Sequence, residues 1–235
     1  MSHHCEDEHH DHHHHDAPIP TTAGQSLYDQ IDTSKVKCLN AVPKGTDSIS
    51  ESFLKTQEEK FVIRRYLESD ADCQLIVQIP FLNTCKLYSV ILRTNNTHRG
   101  YTTPRTIKIF NNFKKNLDFD TLGSETKIGF QAEHPNNVGV NTNGNDTSEE
   151  DNFVEYHLPR NQFTGCETLT LFIQDNWDDE DDLTQLFYLE VRGEATGKLR
   201  PDNAVPLMTV YESAPNPLDH AKLEHEITDT LGMGS

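Results

Sequence analysis

Stretches such as CQLIVQIPF (73–81) and ETLTLFIQD (167–175) place apolar side chains at alternate positions, and this period of two constrains the chain more than any other feature. In the first, Leu75, Val77 and Ile79 share a face. In the second, Leu169, Leu171 and Ile173 point one way while Thr168 and Thr170 point the other. Related segments are KVKCLN (35–40), KFVIRRYLES (60–69), KLYSVILRT (86–94), RTIKIFNN (105–112) with Ile107 and Ile109 on one face, FVEYHLP (153–159), LTQLFYLEVRGE (183–194) and LMTVYES (207–213). About nine or ten short strands separated by turn clusters predict an all-β sandwich or barrel. Helical patterning is confined to a turn or two near 51–59.

The loops between these strands are polar, and their charge narrows the partners. With 38 acidic against 20 basic residues, the formal charge is −18. Nucleic acid and anionic membranes need basic neutralisation, so both are excluded as partners; a basic protein surface is favoured. No apolar run approaches the roughly 20 residues of a membrane span, and no secretory signal pattern opens the chain. The five cysteines are widely spread without C-x-x-C, which predicts free thiols in a reducing compartment rather than a disulfide scaffold. The sequons at Asn95 and Asn145 are then not expected to carry glycans.

Organisation is uneven. Residues 1–24 hold HHCEDEHHDHHHHD and too few apolar residues to pack, so they are assigned to a disordered His- and acid-rich tail. A single domain is expected over 25–220, followed by a C-terminal tail at 221–235. Residues 112–152 interrupt the strand order, and 133–152, rich in Asn, Gly and acids, reads as a long surface loop.

Candidate chemistry is sparse. Phosphate-binding glycine loops and nucleophile-elbow patterns are missing, and HEITD (225–229) has Asp229 where a zinc peptidase needs its second histidine. Isolated His98, His134, His157 and His220 suggest no triad by spacing, so no catalytic residue and no cofactor is assigned. In the tail, His9, His10, His12, His13, His14 and His15 could ligate Zn, Ni or Cu, but a chain without fixed geometry cannot select a metal. The run DNWDDEDD (175–182) offers Asp178, Asp179, Glu180, Asp181 and Asp182 as an acidic contact for a basic partner, or simply as a solvated loop. ESDAD (68–72) reads as a turn in which Asp70 or Asp72 caps its own backbone. YESAPNPLDH (211–220) contributes Tyr211, Asn216, Asp219 and His220, either as a structured exit from the sheet or as contact residues.

Taken in order, VKCLN (36–40), LESDADCQLIVQIPF (67–81), LFYLEVRGE (186–194) and YESAPNPLDH (211–220) resemble the PITH domain, the proteasome-interacting module found at the C-terminus of a thioredoxin-like protein. The likeness runs over roughly 27–220, and the His-rich start is similar to stand-alone PITH proteins. It implies a jelly-roll-like β-sandwich related to galactose-binding domains. It also implies a cytosolic and nuclear protein, monomeric when free, that acts without catalysis as a 26S proteasome adaptor. A ligand-binding sandwich, using loops 94–104 or 134–152 as its mouth, and an indirect regulator of gene expression are the alternatives. No W-C-x-x-C segment is present, so the fused relative's reductase chemistry does not carry over. Within the motifs, Leu75, Val77 and Ile79 are expected in the core, and Gly193 where a strand end needs backbone freedom.

Overall fold

A computed structural model describes residues 19–141, 150–178 and 181–199, with side chains to residue 197. Among the described residues nine strands form in the order β1 (Lys37–Leu39), β2 (Ala41–Lys44), β3 (Tyr66–Ser69), β4 (Leu75–Thr94), β5 (Thr106–Asn111), β6 (Phe130–Glu133), β7 (Val154–His157), β8 (Cys166–Ile173) and β9 (Gln185–Leu199), with helices α1 (Ile49–Phe53) and α2 (Phe119–Ser124). Every strand pair is antiparallel.

The long β4 organises the fold. Its first half pairs with β1 on one side and β8 on the other, and β8 continues to β5 and β6. Its second half pairs with β7 and β9, and β9 continues to β3 and β2. The register shifts between Pro80 and Cys85, so β4 leaves one sheet and enters the other at that irregularity. The inner faces meet in one core. Leu75, Val77, Ile79, Ile107, Ile109, Leu169, Leu171 and Ile173 on the first sheet pack with Leu67, Val90, Leu92, Leu186, Leu189 and Val191 on the second. A further register shift near Arg93 and Thr94 lets both Leu186 and Leu189 face inward. The expected jelly-roll-like β-sandwich and its period-two core are what form.

The outer face of the first sheet is also covered. Ile76, Phe110 and Phe172 pack against Leu122 of α2, with Phe113, Leu117, Phe119 and Ile128 around them. Asp118 caps α2, its carboxylate accepting from the Thr121 amide and hydroxyl. The interval 112–152 that interrupts the strand order therefore contains a short helix and strand β6, both ahead of the loop expected over 133–152 except for Glu133, the last residue of β6.

Other elements differ from expectation for local reasons. The segments 73–81 and 86–94 are one strand, because Leu82–Thr84 bulge without reversing the chain. Strand β2 contains Pro43, which is tolerable only on a sheet edge; β2 is such an edge. The strand expected from residue 60 begins at Tyr66, preceded by a 3-10 turn at Gln57–Glu59. There Lys55, buried, donates from Nζ to three carbonyls, Val62 at 2.7 Å, Arg65 at 2.6 Å and Phe187 at 2.6 Å. Arg93, also buried, lies against the rings of Phe153 and Phe61, 4.9 and 5.7 Å from their centroids. The strand expected over 207–213 lies outside the described residues.

Residues 19–24, placed in the tail by sequence, already belong to the sheet's surroundings. The Thr21 hydroxyl bonds Glu155, which also accepts from Ser89, and Arg192 donates to Thr21 at 3.1 Å. A 3-10 turn follows at Ala23–Gln25. The apolar count that suggested disorder misses this contact because it is made by hydroxyls and charges. Gly193 is corrected as well: it is not at a strand end, since β9 runs to Leu199, and its φ is not positive. It faces Leu87, and a Cβ there would lie 2.1 Å from the Lys86 carbonyl oxygen, so what it requires is close approach of two backbones.

Candidate interaction surface at one end of the sandwich

Four connections converge at one end of the sandwich: 70–74, 95–105, 134–141 and 174–184. Their positions are fixed by backbone pairing. Asn95 is buried and exchanges bonds with Gln185, its amide donating to the Gln185 carbonyl and its side-chain oxygen accepting from the Gln185 amide. This enclosure rules out the sequon asparagine as a glycan acceptor in the folded chain. Val140 bonds Thr94 and Asn96, which lays 134–141 beside the end of β4. Gly139 allows that approach: its φ is +141°, and a Cβ would meet the Asn95 carbonyl carbon at 2.5 Å.

The turn at 70–74 is built by two residues of the resemblance motifs. Asn40, at φ +53°, takes the left-handed conformation that asparagine tolerates. Its amide nitrogen donates to Asp72 at 2.7 Å and to the Gln74 carbonyl at 2.6 Å, while its oxygen accepts from the Ala71 amide. Asp72 also accepts from the Gln74 amide at 2.9 Å, the expected self-capping turn. Glu68, at the other end of ESDAD, was not singled out from its neighbours by sequence. It is buried and accepts from Tyr101 at 2.8 Å and Gln185 at 3.2 Å, with the Lys44 ammonium at 3.0 Å. Burial first, and then the bond to Glu68, push the Tyr101 hydroxyl up to about 12. Tyr101→Phe removes a donor to a buried carboxylate, so chemical denaturation should register a loss of about 1.5 kcal/mol.

The acidic run divides by position. Asp175 is held by Arg105 at 3.0 Å and by the Thr106 amide, and Asp182 accepts from Thr102 at 2.7 Å. Asp178 and Asp181 are exposed. A cleft of about 360 Å³ opens between Asp72, Cys73, Gln74, Gln174, Asp175 and Asp181, giving this end a carboxylate-rich lining. Among the described residues no group of His, Cys, Asp or Glu is arranged to hold a metal ion. Asp179 and Glu180 lie outside the described residues, as do Tyr211, Asn216, Asp219, His220 and His9, His10, His12, His13, His14 and His15 of the tail.

The aromatic and imidazole groups at this end point into the protein's own network. Trp177 donates to the His134 carbonyl at 2.8 Å, and His98 stacks on Tyr101 with ring centroids 4.8 Å apart. His134 is enclosed, with Nε2 at 3.1 Å from the Thr94 hydroxyl and Nδ1 at 2.5 Å from the Tyr156 hydroxyl. Burial holds its pKa down at about 4. His157 sits on β7, opposite Ser89.

The family model described as the PITH domain matches residues 17–215. The chain belongs to the PITH domain family. It is 28% identical to a PITH domain-containing protein of Schizosaccharomyces pombe, over 95% of both chains. It is 30% identical to one of Drosophila melanogaster, over 83% of this chain and 80% of that one. A carbohydrate-binding module, CBM32-3, from a family 31 glycoside hydrolase of Clostridium perfringens is among the similar solved structures. It has 11% identity and a TM-score of 0.44, covering 73% of this chain and 97% of that one. PITH is a protein-interaction domain, and its match begins at residue 17, before the Thr21 contacts. The motif residues of this PITH chain have structural work to do: Asn40 and Asp72 shape a turn, Leu75, Val77 and Ile79 fill the core, and Gly193 admits a neighbouring strand.

Proposed function

We propose that this PITH chain is a non-enzymatic adaptor of the cytosol and nucleus that associates with the 26S proteasome through the acidic end of its sandwich. The observation that carries this reading is the match to the PITH domain over residues 17–215. The exposed Asp178 and Asp181 beside the carboxylate-lined cleft support the choice of surface, since a chain of charge −18 favours a basic partner face. Purified protein should co-sediment with 26S particles at moderate salt, and less of it as salt rises and screens exposed charges. An Asp178→Lys variant should weaken co-sedimentation while leaving the thermal midpoint unchanged. Absence of co-sedimentation by the unaltered protein would sink the proteasome assignment.

The cleft volume is compatible with a small ligand, but the aromatic groups that would stack on a sugar are engaged elsewhere. Tyr101 bonds Glu68, and Trp177 bonds the His134 carbonyl. An unchanged thermal midpoint across sugars and nucleotides is therefore expected.

A further inference from the structure

We propose that Cys85 and Cys166 form an oxidisable dithiol pair, closing to an internal disulfide when the folded protein meets hydrogen peroxide. The two residues are direct partners across the β4–β8 ladder. Opposed residues of an antiparallel pair point to the same face, with Cα atoms about 4.5 or 5.5 Å apart. Both spacings fall within the ~4.4–6.8 Å that a disulfide bridges. Burial agrees with this pairing: both side chains are fully enclosed in the same core cluster. Each thiol is free and makes a weak contact to its own strand, Cys85 to the Asn83 carbonyl at 3.3 Å and Cys166 to the Thr168 carbonyl at 3.4 Å.

Their place in the fold supplies the freedom to close. Cys85 ends the irregular stretch where β4 passes between the sheets, and Cys166 is the first residue of β8, directly after Gly165 in its left-handed conformation. The chain reaches the surface at Leu82, three residues before Cys85. Cys38 stands opposite Val77, and Cys73 lies in the 70–74 turn before β4.

In the reaction, the Cys85 sulfur attacks one peroxide oxygen and breaks the O–O bond. This yields a sulfenic acid, and the departing hydroxide leaves as water with the thiol's proton. The Cys166 sulfur then attacks the Cys85 sulfur, forming the S–S bond and expelling a second hydroxide, which takes the Cys166 proton. Two thiols are oxidised, one peroxide is reduced, and two waters are released. Burial raises both thiols, Cys85 to about 11 and Cys166 further, with the Cys85 sulfur adding to the effect on Cys166. The thiolate is therefore scarce near neutrality, and closure is slow. The rate should climb about tenfold per pH unit below the Cys85 value, as the thiolate fraction does.

The test uses the full-length chain, reduced, freed of reductant and exposed to hydrogen peroxide, then alkylated and digested without reduction for mass spectrometry. The expected result is a dominant peptide pair joining Cys85 to Cys166, an intact mass lower by two hydrogens, and restoration by dithiothreitol. The oxidised protein should melt at a higher temperature, because the link fastens β8 to β4 where β4 changes sheets. A Cys38→Ala/Cys73→Ala variant, which leaves Cys85 and Cys166 in place, should give the same linked peptides. The proposal is overturned by linkage that forms only in denaturant. It is equally overturned by Cys85 and Cys166 remaining alkylatable while other cysteines oxidise, or by their appearance as separate sulfinic acids.

Discussion

Lys55→Met should lower the unfolding free energy by about 3–5 kcal/mol, because three buried carbonyls lose their donor at about 1–3 kcal/mol each. Lys55 is 2% exposed, and its ammonium is the shared donor for the carbonyls of Val62, Arg65 and Phe187. Those three contacts tie the irregular 55–65 segment to β9. Burial, together with the nearby Arg65 and Arg93 charges, pushes the ammonium down to about 7. Three carbonyl acceptors, however, call for three N–H groups, which only the ammonium possesses, and they hold the proton in place. Methionine keeps most of the length and apolar stem but supplies no donor, so three buried carbonyls lose a partner. In urea titration the midpoint should fall with the slope unchanged. Lys60→Met is the matched control. Its partner Glu150 is largely exposed, and the loss there should stay below about 1 kcal/mol. A Lys55→Met midpoint equal to that of the control would remove the argument.

Such a lysine shows where sequence reading stops. The alternation in CQLIVQIPF and ETLTLFIQD specified the core faces, because a half-buried strand leaves period two in the residues themselves: Leu75, Val77, Ile79, Leu169, Leu171 and Ile173 all face the shared core. Continuity of β4 was not visible, since Leu82–Thr84 has the polarity of a turn and only its partners on β8 and β9 keep the chain running forward. Pro43 concealed β2, and the edge position that excuses it is a property of the assembled sheet. In the acidic run, Asp175 and Asp182 satisfy donors from 102–106 whereas Asp178 and Asp181 stay exposed, a distinction that four identical residues cannot announce. Asn40 could have been suspected, since asparagine after a short apolar run often marks a left-handed turn. Lys55 and Arg93 had one signal, a base flanked by apolar residues in SFLKT and VILRT, but their carbonyl and aromatic partners come from other elements.

The second large effect concerns acid. His134 is 1% exposed between the Thr94 and Tyr156 hydroxyls, and its pKa is held at about 4 against 6.5 for a free imidazole. The Tyr156 hydroxyl is itself pushed up by burial and stays protonated, so the imidazole is the group that titrates. The fold favours the neutral ring, whereas the unfolded chain takes up a proton once pH drops below 6.5. Stability from this site is therefore complete above pH 6.5, declines between 6.5 and 4, and levels off below 4. A shift of this size corresponds to about 3 kcal/mol at 1.36 kcal/mol per unit. Protonated carboxylates destabilise many proteins over the same interval, so the measurement is a difference. His134→Gln retains a donor and an acceptor but cannot titrate. At pH 7 it should be less stable than the unaltered chain, and the gap should shrink by about 3 kcal/mol as pH is brought to 4. Parallel stability curves for the two proteins across that window would show that protonation of His134 does not account for the loss of stability.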